Sequence, residues 1–272
     1  MIELYHFAFS TCSQKVRLVL AEKGLDFVSH EVDILGGAQH APEYVKLNPN
    51  HVVPTLVHDG EVLIESSLIV KYLDDAFPEP PMRPADALGR YRVDAWLARL
   101  DGELHPAAPV VTFALGPRNL LLLQPEEVRE ANLAAIPDPA DRALRRSVLE
   151  HGVAAPEFAG ALGVFIDTLD DMESQLADRA WLSGNRVGLA DTSLLPYVLR
   201  LEHLAMDPLL DAATRPRVSD WLARVKALPS YATAVDAWAA PAAVEFMRSQ
   251  GKQVWPEIEP IARDHGSARA AA

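Results

Sequence analysis

Four consecutive residues near the start of the chain, Ser10, Thr11, Cys12 and Ser13, bring together three hydroxyls and the single cysteine of a 272-residue sequence. They stand where a short apolar segment hands over to Gln14-Lys-Val-Arg-Leu18, a strand-to-helix junction. The first N–H groups of a helix are unsatisfied and favour negative charge. A free thiol has a pKa of about 8.5, so its nucleophilic thiolate is the minor form at neutral pH. Lowering that value by about two units requires roughly 2.7 kcal/mol. A charge-assisted hydrogen bond from a hydroxyl, together with a helix start, can supply it. Ser10, Cys12 and Ser13 are the candidates. Ser13 also suits the N-cap of the helix, and Cys12 reads either as a low-pKa thiol or as a small buried hydrophobe.

A second set lies in Asn48-Pro-Asn-His-Val-Val-Pro-Thr-Leu56 and Glu65-Ser-Ser-Leu-Ile69. At a helix start, Ser66 can offer its hydroxyl and backbone N–H groups to a carboxylate, and Glu65 can take an ammonium. The same two residues also fit an ordinary helix cap and a first-turn acid. His40, Lys46 and His51 are nearby cationic or donor groups.

The elements that must position these residues follow a simple order. Ile2 to Phe7 predicts a strand, Ser13 to Lys23 a helix ended by Gly24, and Phe27 to Val32 a second strand. A short helix near Glu43 to Leu47 precedes a strand over Pro54 to His58. The Asp59-Gly60 turn then returns the chain through Glu61 to Ile64, and Ser66 opens a helix that stops before Pro78. Pro78, Pro80, Pro81 and Pro84 mark a stiff connection and a domain boundary, giving residues 1–80 and 86–260 as the two domains. Beyond it the apolar period is helical, as in Val93, Trp96, Leu97, Leu100 and Leu104. Residues 116–157 read as a long excursion with two short helices, and residues 262–272 as a frayed end.

A net charge of −13 with no basic run excludes nucleic acid as a partner. No apolar run reaches the roughly 18 residues expected of a membrane span, and a lone cysteine fits a reducing cytoplasm. Nine histidines without ligand spacing give no metal site.

Taken together at their spacing, the Val53-Pro54 and Glu65-Ser66 segments resemble the cytosolic glutathione transferase superfamily. That resemblance implies a thioredoxin-like α/β N-terminal domain, an all-α C-terminal domain, glutathione as co-substrate and a homodimer. It implies a cis Val53-Pro54 bond that turns the Val53 backbone toward glutathione's cysteinyl unit, with Glu65 and Ser66 on the γ-glutamyl end and His40, with Lys46 and His51 as rivals, on the glycyl carboxylate. Ser10-Thr-Cys-Ser-Gln-Lys-Val-Arg17 is similar to the serine-type zeta and theta branches, which assigns thiol activation to Ser10, although Thr11 and Gln14 depart from the zeta pattern. Tyr5, inside the first strand, is expected to pack, and Asp191 to serve the start of a helix.

The activity so implied is attack of the glutathione thiolate on a small hydrophobic electrophile. His105, Pro106, Pro109 and Phe113 are candidates to line that electrophile's pocket, expected between the domains. The insertion with Ile136-Pro-Asp-Pro139 and Arg145-Arg146 is similar to bacterial β-etherases that cleave lignin aryl ethers with glutathione. A thiol reductase working through Cys12 and a non-catalytic binding module are the other readings.

Overall fold

The computed structural model describes residues 1–270, whose packing forms two compact units. The first holds residues 1–98, 178–198 and 220–240; the second holds 99–177, 199–219 and the chain from Pro241 onward.

In the first unit, β1 (Ile2–His6) turns Ile2, Leu4 and His6 inward by simple alternation. It pairs in parallel with β2 (Val28–Glu31) and antiparallel with β3 (Thr55–His58), and β3 pairs antiparallel with β4 (Glu61–Leu63). The sheet order is β2-β1-β3-β4. Leu4 sits opposite Leu56 at the centre, both fully buried. The helices of its N-terminal stretch are α1 (Thr11–Glu22), α2 (Pro42–Val45), α3 (Ser66–Ala76) and α4 (Ala87–Arg99). Asp59 and Gly60, both left-handed, close the hairpin as their residue types predict. This is the thioredoxin-like arrangement.

Lys23 Nζ reaches Asp74 Oδ1 at 2.8 Å and the carbonyls of Phe77 and Pro80 at 2.7 and 2.9 Å. The proline-rich connection is thus tied back onto α1 and α3.

A π-turn, Leu100–Leu104, opens the second unit and runs into α5 (His105–Leu115). Next come α6 (Arg118–Leu122), α7 (Glu126–Ala134), α8 (Pro139–His151) and α9 (Phe158–Gln175). The chain continues through α10 (Leu189–His203), α11 (Pro216–Lys226), α12 (Pro229–Tyr231) and α13 (Pro241–Ala270).

Two expectations are corrected. Residues 116–157 hold three helices rather than two, because Asp138 accepts the N–H groups of Ala140 and Asp141 and Pro139 fits the first helical position, starting a 13-residue helix. Residues 262–270, expected to fray, continue as helix, and residues 271–272 of that expectation lie outside the described residues. His265 Nε2 meets Asp167 Oδ1 at 2.9 Å, giving α13 a partner on α9 that local sequence does not disclose.

Candidate active site

The sheet topology brings three segments to one end. Because β1 and β3 are antiparallel with Tyr5 opposite Thr55, the exit of β1 lies beside the entry of β3. Because Leu56 faces Leu63, the exit of β4 lies there too. Ser10, Val53-Pro54 and Glu65-Ser66 therefore occupy the same edge of the first unit.

Ser10 is the N-cap of α1: its Oγ accepts the Ser13 N–H at 3.2 Å, from an extended backbone. The cap belongs to Ser10, not to Ser13 as the local pattern suggested. Among the described residues, no acceptor takes the Ser10 hydroxyl hydrogen. Ser13 is fully buried, and its Oγ receives the Phe7 N–H at 3.3 Å. Cys12 is buried too, its Sγ 3.6 Å from the Tyr197 hydroxyl.

The loop behind this edge is held by a buried guanidinium on which Glu31 acts only through space. Arg17, 1% exposed, donates to Ala8 O at 2.9 Å, Phe7 O at 3.3 Å and Ala234 O at 2.8 Å. Its guanidinium also lies 5.1 Å from the Trp238 ring centre. Burial pulls its pKa down to about 9. Arg17 Nη1 meets His6 Nδ1 at 3.0 Å, and His6 Nε2 meets Ser29 Oγ at 2.8 Å. Burial, then the Arg17 charge, lower the His6 pKa to about 4. His6 is therefore neutral and accepts through Nδ1, leaving Nε2–H to donate to Ser29.

Val53-Pro54 is cis. Tyr44 Oη donates to Val52 O at 2.6 Å, and Asn48 Nδ2 donates to the same oxygen at 2.9 Å and to Thr55 Oγ1 at 3.1 Å. Both residues flanking Val53-Pro54 are thus anchored from inside. Among the described residues, neither the N–H nor the C=O of Val53 takes part in a hydrogen bond. Those two groups form an unpaired strand edge.

Glu65 has a left-handed φ of 68°, uncommon for a side chain of this type. Asn50 Nδ2 donates to Glu65 Oε1 at 3.0 Å. This link ties the second set together, and the motif around Asn50 was its sequence signal although no role pointed to that residue. Ser66 stands at the first position of α3, mostly buried, and no described residue takes up its hydroxyl.

His40 Nδ1 and His51 Nδ1 are 3.2 Å apart, and His40 also meets Gln39 Nε2. Burial and then His51 hold His40 below its ordinary pKa. Lys46 is instead occupied by Glu43, at 2.9 Å on the surface. Tyr5 stacks on His30 with ring centres 4.4 Å apart.

Asp191 is fully buried and accepts four N–H groups: Leu182 and Trp221 Nε1 at 2.9 Å, Ser183 and Gly188 at 3.1 Å. Glycine occupies position 188 because a Cβ there would stand 2.2 Å from Met82 O. Within the second unit, Phe113 is buried and covered by the Arg145 guanidinium 4.0 Å from its ring centre. Among the described residues, no single helix is long and apolar enough to cross a membrane, and no His, Cys, Asp and Glu cluster could hold a metal ion.

Two family descriptions match this chain: "Glutathione S-transferase, N-terminal domain" over residues 4–81 and "Glutathione S-transferase, C-terminal domain" over residues 140–224. Maleylacetoacetate isomerase of Pseudomonas aeruginosa is 31% identical over 219 residues, covering 79% of this chain and 88% of that protein. The crystal structure of β-etherase LigF from Sphingobium sp. strain SYK-6 superposes with a TM-score of 0.79 at 26% identity, covering 87% of this chain and 99% of LigF. A theta class glutathione S-transferase from Xanthomonas axonopodis pv. citri, solved with glutathione bound, gives a TM-score of 0.62 at 25% identity, covering 86% and 96%. With these likenesses across both domains, the chain belongs to the glutathione S-transferase family and takes glutathione as its co-substrate.

Proposed function

We propose that the chain binds glutathione along the edge formed by Val53, Glu65 and Ser66 and holds its sulfur as a thiolate through Ser10. The observation that carries this reading is the set of unspent groups at one end of the sheet: the Ser10 hydroxyl hydrogen, the Val53 N–H and C=O, and the Ser66 hydroxyl. The Val53 pair matches the cysteinyl backbone of glutathione as an added strand. Ser66 and the start of α3 take the γ-glutamyl carboxylate, and Glu65 takes its ammonium. The His40–His51 pair receives the glycyl carboxylate. The thiolate then attacks a small apolar electrophile, a reaction needing no covalent enzyme intermediate.

The buried position of Cys12 weighs against a reductase in which that thiol forms a mixed disulfide. A more specific reading is β-aryl ether cleavage, supported by the likeness to β-etherase LigF. In that step the sulfur bonds to the ether carbon as the carbon–oxygen bond breaks, and the electron pair leaves on the phenolate oxygen. The chain would work in the cytoplasm as a homodimer.

The test is a crystal soaked with glutathione. A sulfur within about 3.5 Å of Ser10 Oγ is the expected result; a sulfur nearer Cys12 or Ser13 would reassign the chemistry. Turnover of a model β-aryl ether, followed by phenol release, separates ether cleavage from general conjugation.

A further inference from the structure

The excursion of residues 116–157 carries five arginines, and four of them are spent on its own architecture. Arg118 donates to Leu149 O and Glu150 O at 2.9 and 3.1 Å, capping the end of α8. Arg129 holds Leu122 O and Gln124 O, Arg142 holds Ile136 O, and Arg146 grips both oxygens of Glu130 at 2.7 Å.

Arg145 is different. Its guanidinium carbon lies 4.0 Å from the centre of the Phe113 ring, and among the described residues it makes no hydrogen bond or ion pair. Asp141, one turn earlier on α8, acts on it only through space, and burial lowers its pKa from the ordinary arginine value. A half-buried guanidinium with no acceptor for its donors among the described residues, held flat against an aromatic ring, is a preorganised receiver for an anion. Arg145 is only partly buried, and none of its nitrogens is sealed from solvent, so an anion can reach it. One face of the group is fixed by Phe113, which leaves the planar fork of N–H donors to receive a carboxylate edge-on.

We propose that Arg145, seated on Phe113, is a carboxylate-binding site of the helical unit, suited to an unsaturated or aromatic acid. It rests on the glutathione-dependent reading only in taking that acid to be the electrophile; the binding itself needs no glutathione.

The experiment is calorimetric titration of the full chain, without glutathione, using cinnamate and its uncharged amide. The wild-type chain should bind the acid about ten- to a hundredfold more tightly, the range of one charge-assisted pair. Arg145→Gln should erase that preference, and Arg145→Lys should keep part of it because the charge stays and the fork is lost. Equal affinity for both probes, failure of the wild-type chain to bind either, or an undiminished preference in a natively folded Arg145→Gln chain would overturn the assignment. If Arg145→Gln does not fold, the wild-type comparison of acid with amide still decides. Turnover keeps the two readings apart: with the glutathione site misassigned, the acid preference survives in titration, whereas with Arg145 misassigned, neutral electrophiles still react and the preference is absent.

Discussion

The Ser10 hydroxyl oxygen accepts the Ser13 backbone N–H at 3.2 Å, so one side chain closes the first turn of α1 and keeps its own hydrogen for an incoming acceptor. On the proposed reading, structure and chemistry meet on this one atom, and two substitutions separate them. Ser10→Ala should cost about 1 kcal/mol of stability as a lost cap, whereas Ser10→Gly should cost only a few tenths. Both should raise the pKa of bound glutathione by about one to two units and lower kcat/KM at neutral pH by about ten- to a hundredfold. Ultraviolet titration of the thiolate reads the first effect. An unchanged thiol pKa in the glycine variant would remove Ser10 from the chemistry.

Cys12 gives the complementary expectation. With its Sγ beside the buried Tyr197 hydroxyl, Cys12→Ala should leave conjugation intact and lower thermal stability by about 1 kcal/mol. Loss of activity in that variant would restore the reductase reading.

Asn50 anchors Glu65, whose left-handed backbone has few ways to hold itself. Asn50→Ala should raise KM for glutathione about three- to tenfold while kcat stays constant, since uniform binding rather than transition-state binding is lost. A fall in kcat with KM unchanged would place Asn50 in the chemical step instead.

The pH dependence of stability should report His6. Its folded pKa of about 4 lies below the ordinary 6.5, so the unfolded chain binds more protons between those values. Stability contributed by neutral His6 is whole above 6.5 and is lost as the pH falls toward 4, by up to about 3 kcal/mol. Unfolding by urea at several pH values, for the native chain and for His6→Gln, checks this: the native chain should show the steeper loss across that window.

Gly188 should resist even a methyl group. Gly188→Ala sets a Cβ against Met82 O and should destabilise the chain by about 1–3 kcal/mol. A chain as stable as the native one would mean that the Met82 segment gives way.

Much of the first unit was legible because local rules agree there. The strands of residues 2–6 and 55–58, the Asp59-Gly60 turn and the start of α3 each follow from alternation, turn chemistry and apolar period. The Ser10, Val53 and Ser66 segments could be named from residue types together with the family resemblance, but not that antiparallel pairing would gather them at one edge. Arg17 closes the Ser10-to-Arg17 pattern, but its role did not follow from it: a buried arginine answered by carbonyls from residues 7, 8 and 234 has partners that local sequence does not disclose. The three helices of residues 116–157 were underread although the cap of the longest, Asp138 before Pro139, is a local signal; the anchors that pack it, such as Arg118 to Leu149, join positions far apart in sequence.

The Arg17 contact with Ala234 also bears on modularity. The residues that read as a self-sufficient glutathione module finish at the proline run, yet the guanidinium at their heart is shared with a carbonyl more than two hundred positions downstream. Trp238 covers that same guanidinium and packs edge-on to His6 with ring centres 4.6 Å apart. A chain severed at the prolines would leave Arg17 missing its distal acceptor and His6 missing its cover. The packing of the N-terminal segment is thus completed from residues 234–238, and a transplant of the motif should carry that stretch with it.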